Sequence, residues 1–176
     1  MNNYNKAINL KVDYADAYLN RGISFIKLLK YDEAISDFNI VISKDPYNSK
    51  AYNSLGNAFT GLEKYDQAIA SFEKAIKING NYLEAISNKA NVFETQQKFK
   101  DSLNLINKIY KKDPNFSGLL QKIITNKMSI FEWEEFDELK EIIKNKLLKN
   151  KIILDPLIIY YLFDDLKIQS NNSKNY

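Results

Sequence analysis

The side chains that offer recurrent chemistry in this chain are amides. Asn20, Ser54 and Asn88 form one column at 34-residue intervals, Asn57 and Asn91 form another, and Asn53 and Lys50 lie beside them. An asparagine is both donor and acceptor, so a row of them can pair with the backbone of an extended peptide without reading its side chains. Asn is also frequent throughout the chain, and the same row fits a solvated surface. His and Cys are both absent. Cys/His nucleophile pairs, His general bases and Cys/His zinc sites are therefore excluded, and no cofactor or metal is expected. Glu134-Glu135 and Asp164-Asp165 are adjacent carboxylate pairs, but helix neighbours point about 100° apart and do not converge on one substrate. Gly56 and Gly61 have the glycine spacing of a phosphate loop, yet Leu62-Glu63 stands where Lys and Ser/Thr are needed.

The elements that position the amides are written as a pattern repeated three times in tandem, in blocks 15–48, 49–82 and 83–116, with Pro46, Gly80 and Pro114 at one station. Aligned this way, Tyr18, Tyr52 and Ile86 form a column, followed by a small column of Gly22, Gly56 and Ala90 and then by Phe25, Phe59 and Phe93. An aromatic column of Tyr31, Tyr65 and Phe99 precedes a second small column, Ala34, Ala68 and Ser102. The last apolar columns are Phe38, Phe72 and Ile106, then Val41, Ala75 and Ile109. This order resembles the tetratricopeptide repeat (TPR), a helix-turn-helix unit. The resemblance implies an all-α fold: a right-handed TPR superhelix, or α-solenoid, followed by a C-terminal helical connector or cap.

In each block the first helix is expected from about the second residue to the fourteenth, and the second from Asp32, Asp66 or Lys100, where Asp suits a helix start. Gly22 and Gly56 should face Ala34 and Ala68, with Phe25 and Phe59 filling the space beside them. Residues 1–14 superpose on the second half of a repeat, so Tyr4, Ala7 and Ile8 lack a partner helix; the expectation is either that the chain is cut from something longer or that another surface covers this end, self-association with a second copy being one way to do so. Residues 117–130 begin a fourth first helix without the tight Gly/Ala position. Trp133, Phe136, Leu139, Ile143 and Leu147 then recur at helical spacing. Asp155-Pro156 suits another helix start, 117–170 reads as a helical cap, and 171–176 as a frayed tail.

A second resemblance covers Lys127 to Leu139, with Trp133 and Phe136, then Asp155-Pro156-Leu157 and Asp164 to Gln169. This run is similar to the segment joining repeats to the catalytic half in bacterial relatives of protein O-linked N-acetylglucosaminyltransferases. The chain has Phe131-Glu132 where those relatives often have a Cys before the Trp. The implied alternative is the substrate-recruiting N-terminal part of such a glycosyltransferase, whose catalytic half lies elsewhere and whose catalytic residues have no counterpart here.

The functional surface of a repeat superhelix is normally its concave face. Stations two, five, six and nine of each block should line it: Asp16, Leu19, Asn20 and Ile23; Lys50, Asn53, Ser54 and Asn57; Glu84, Ser87, Asn88 and Asn91. The transferase family carries Asn at station six, which Asn20 and Asn88 match and Ser54 does not. The charged clamp that some repeat domains use for a C-terminal carboxylate is unmatched, with Leu19, Ile23 and Glu84 at its stations. A net charge of +3 spread over mixed Lys and acidic residues argues against nucleic-acid partners. No continuous apolar run approaches the roughly 20 residues that span a bilayer. The expectation is a cytoplasmic, non-enzymatic scaffold whose groove, through Asn20, Lys50, Asn53, Ser54, Asn57, Asn88 and Asn91, binds a protein or peptide ligand, with no nucleic acid and no membrane.

Overall fold

The computed structural model describes residues 15–131 and 136–149 together with residues 159 and 162. Among them the regular elements are helices: α1 (Ala15–Lys27), α2 (Tyr31–Lys44), α3 (Ser49–Gly61), α4 (Tyr65–Ile78), α5 (Leu83–Thr95), α6 (Phe99–Lys112), α7 (Leu119–Ser129) and α8 (Phe136–Leu148). The expected half-repeat in 1–14, the Trp133 contact, the helix starting at Asp155-Pro156 and the 171–176 tail lie outside the described residues. So do both carboxylate pairs. Two compact units divide after Ile109, and each is described by itself.

Side chains at the turns fix the helix boundaries. Before α3, α5 and α7 an Asx turn closes on the next backbone but one: Asp45 Oδ1 accepts from Tyr47 N at 3.0 Å, Asn79 Oδ1 from Asn81 N at 3.1 Å, and Asp113 Oδ1 from Asn115 N at 2.9 Å. Asn48 then caps α3 by accepting from Ala51 N at 3.0 Å. At the other end, Leu29, Glu63 and Gln97 adopt left-handed backbone with φ of 57° or 58°. Lys30, Lys64 and Lys98 N–H groups reach back to the carbonyls of Phe25, Phe59 and Phe93 at 2.9, 2.9 and 2.8 Å. This is the Schellman closure, which satisfies carbonyls that the helix end leaves open.

The second helices open one residue earlier than expected, on the aromatics Tyr31, Tyr65 and Phe99. Lys30 and Lys64 stand at the N-caps of α2 and α4, with no side-chain cap bond. Asp32 and Asp66 therefore lie in the first turn, where their charge favours the positive end of the dipole but caps nothing.

In the first unit each second helix packs between consecutive first helices, α2 against α1 and α3, and α4 against α3 and α5. The first helices also touch one another, α1 on α3 and α3 on α5, more closely than α2 touches α4. In this unit α1, α3 and α5 thus form the inner layer. Phe38, Val41, Phe72 and Ala75 are wholly buried, as are Ala34 and Ala68. The small column, however, is set against rings. A Cβ at Gly22 would lie 2.5 Å from Phe38 Cε1, and one at Gly56 would lie 2.5 Å from Phe72 Cε1, so the expected facing residues Ala34 and Ala68 are not the nearest neighbours. Phe25 and Phe59 are half-buried at the edge of this core. Gly61, the other glycine of the false phosphate loop, lies under the Tyr31 ring.

In the second unit α7 and α8 repeat the plan at the same interval. Phe131, 34 residues after Gln97, again has positive φ, 55°, and Phe131 N donates to Met128 O at 3.2 Å. Leu119, Leu120, Ile123 and Ile124 of α7 and Ile143 and Leu147 of α8 are buried. Ile124 stands at the station of Gly22 and Gly56 and is 0 % exposed. Lys146 Nζ donates to Pro114 O at 3.1 Å and to Asn115 Oδ1 at 3.0 Å, tying α8 to the turn before α7. Among the described residues no helix is long and apolar enough to cross a membrane.

Replacing Gly56 by Leu adds helix propensity of about 1 kcal/mol but forces the buried Phe72 ring to move. Overpacking should win, with a net loss of about 1–3 kcal/mol in urea unfolding. Phe72→Ala should cost less in the Gly56→Leu background than in the wild type; additive losses would contradict the contact.

Candidate functional site

The predicted groove residues come from α1, α3 and α5, the helices that touch along the inner layer. Asn20, Lys50 and Asn91 are exposed, and Asn57 and Asn88 are half-buried. Asn53 and Ser54 are buried, at 3 % and 8 % exposure. α1 adds Leu19, which is buried, and Ile23, which is 36 % exposed.

Two of these amides are joined across neighbouring repeats. Asn88 Nδ2 donates to Asn53 Oδ1 at 3.1 Å, and the Asn53 side chain is also hydrogen-bonded to the Tyr82 hydroxyl. With its oxygen taken by Asn88, Asn53 has its amide nitrogen to offer the phenol. Asn53 is thus a buried strut that orients Asn88, while Asn20, Lys50 and Asn91 stand exposed and Asn57 and Asn88 half-buried. Burial raises the Tyr82 pKa above its ordinary value and the Glu84 charge adds to the rise, while the bond from Asn53 opposes both.

Tyr82 was not among the sequence candidates. It occupies the last station of its block, where Asn48 and Phe116 stand in the others, so no column marked it. The same holds for Arg21 and Asp37. Arg21, the only arginine in the chain, donates from Nε to Asp37 Oδ2 at 2.8 Å and from a terminal nitrogen to Asp37 Oδ1 at 2.6 Å. The hydrogen bonding to Asp37 holds its pKa above the usual guanidinium value against the opposing effect of burial. The Tyr18 and Phe25 rings flank it at 5.2 and 5.7 Å. This bidentate pair joins α1 to α2. The equivalent stations of the next repeat hold Leu55 and Ser71, both buried.

Among the described residues no group of three or more Asp or Glu side chains gathers to hold a metal ion. What the inner face can do chemically is hydrogen-bond: amides on successive helices, one of them set by a buried partner, beside an apolar edge at Leu19 and Ile23.

Residues 49–82 match the tetratricopeptide repeat family, and residues 16–46 match a second description of the same repeat. Residues 16–46 and 49–82 are thus tetratricopeptide repeats, and the helices of the first unit are stacked as in a TPR solenoid. A crystal structure of MamA is similar to it with a TM-score of 0.74 at 19% identity, covering 85% of this chain and 88% of that one. The first TPR of Spaghetti (RPAP3) bound to the HSP90 peptide SRMEEVD has a TM-score of 0.62 at 22% identity, covering 66% of this chain and 92% of that one. The second TPR domain of human RPAP3, in complex with the HSP70 peptide SGPTIEEVD, has a TM-score of 0.59 at 21% identity, covering 64% and 94%. A sequence comparison with curated proteins finds no match.

Asp37→Asn removes the carboxylate that holds the half-buried Arg21 guanidinium in two hydrogen bonds. The loss should be about 2–4 kcal/mol, reduced from the fully buried range because Arg21 keeps some contact with water. Arg21→Leu combined with Asp37→Ser, which copies the next repeat, should recover most of it. Thermal unfolding of the three chains decides: an Asp37→Asn midpoint equal to wild type would mean the pair is dispensable.

Proposed function

We propose that the inner face of α1, α3 and α5 binds an extended peptide or protein segment, and that the chain acts as a cytoplasmic scaffold without catalysis of its own. The observation that carries this reading is the run of exposed and half-buried amides, Asn20, Asn57, Asn88 and Asn91, along helices that touch one another, with Asn88 oriented by Asn53. The RPAP3 structures support it as examples of TPR modules holding peptides.

The ligand should differ from theirs. Those two peptides end in Glu-Glu-Val-Asp, whereas this groove offers Leu19 and Ile23 at one end and the carboxylate of Glu84 at the other. A segment with an apolar residue over Ile23 and little negative charge over Glu84 fits better. The array is short, so affinity should be about micromolar. The glycosyltransferase-connector reading of 127–139 and 155–169 draws no support from the matches. It also rests largely on residues outside those described, and the groove does not depend on it.

Substituting Asn20, Asn57, Asn88 and Asn91 together by Ala should leave the helical circular dichroism intact and abolish capture of the partners that wild type recovers from lysate. Equal recovery by the two chains would remove the groove from the account.

A further inference from the structure

On the face of α5 turned away from the asparagines lies a cleft of about 290 Å3 between α4, α5 and α6. At about 100° per residue, Ile86 and Lys89 point roughly opposite to Glu84, Ser87, Asn88 and Asn91. The cleft is therefore a site separate from the groove. Its lining divides in two. Ile76, Ile86 and Leu105 supply an apolar floor, and Lys77, Lys89 and Lys108 supply ammonium groups against the single carboxylate of Glu73.

Lys89 is already committed. Its Nζ lies 2.6 Å from Glu73 Oε1 and 5.5 Å from the centre of the Phe93 ring, which neutralises the one acid. Lys77 and Lys108 are exposed, and among the described residues no carboxylate is paired with either. The cleft thus presents a positive rim over a small apolar floor.

We propose that this cleft is a second docking site, for an acidic peptide segment that carries one apolar anchor residue. Its volume lies at the lower limit of small-molecule pockets, about 300 Å3, and suits one inserted side chain rather than a cofactor. The lysines complement carboxylates on either side of that anchor. A nucleic-acid phosphate would satisfy the lysines but bring nothing to Ile76, Ile86 and Leu105. Exposed rim charges steer and select more than they hold, so binding is weak and weakens further with salt.

The test uses the full chain and a fluorescein-labelled peptide with one phenylalanine between two pairs of glutamates, followed by fluorescence anisotropy at low salt. Two control peptides replace the phenylalanine by alanine or the glutamates by lysines. The acidic phenylalanine peptide should bind about tenfold or more tightly than either control. Lys77→Glu with Lys108→Glu, both surface changes, should weaken it by a similar factor with unchanged circular dichroism, while Asn57→Ala with Asn88→Ala should not. Four results would overturn the proposal: no saturable binding, binding indifferent to the two lysines, binding lost with the asparagines, or an oligonucleotide that binds through the lysines where the peptide does not.

Discussion

In the first two repeats the Phe38 and Phe72 rings occupy the volume that a side chain at Gly22 or Gly56 would need, and the close approach of the paired helices follows. Both rings are completely buried, so neither can swing into water to admit a larger neighbour, and close-packed interiors make such a contact sharp rather than elastic. The constraint is shared between two columns. Where the first holds Gly the second holds Phe; Ala90 is matched with Ile106 and Ile124 with Lys140. As the first residue of the pair grows the second gives up its ring, which keeps the 34-residue plan recognisable into α7 and α8.

Seating the second helices this way is what brings α1, α3 and α5 against each other and gives the first unit an inner and an outer side. α5 then serves both. Its amide face belongs to the asparagine row, and its opposite face, with Ile86 and Lys89, closes the cleft. Two sets of polar side chains are paired across helices of this unit. Arg21 and Asp37 lock α1 to α2, and Asn53, Asn88 and Tyr82 lock α3 to α5. A buried amide whose oxygen accepts from the next repeat while its nitrogen serves the last residue of its own resists sliding between them.

Much of this was legible in the sequence because tandem copies make columns visible: within residues 15–112 the six helices, their phase, and the aromatic and small stations could be read directly. What a column cannot show is which columns touch. Ala34 and Ala68 looked like the partners of Gly22 and Gly56, but the contact goes to a ring four residues further along. The left-handed closures at Leu29, Glu63, Gln97 and Phe131 were equally hidden, since glycine is the usual mark of that conformation and none of these residues is one. In the candidate site the row was legible while the division of labour was not. Asn53 and Asn57 differ only by one helical turn in sequence, yet one is a buried strut and the other half-open. Arg21 and Asp37 escaped notice because their repeat alone carries a charged pair at those stations.

The central claim proposed is that α1, α3 and α5 form a peptide-binding face read through side-chain amides. A crystal structure of the chain with a peptide selected against it from a random library tests this most directly. The account predicts an extended peptide along α1, α3 and α5, its backbone hydrogen-bonded to Asn57, Asn88 and Asn91. A peptide seated elsewhere, or one in the groove with its backbone untouched by those amides, would contradict it.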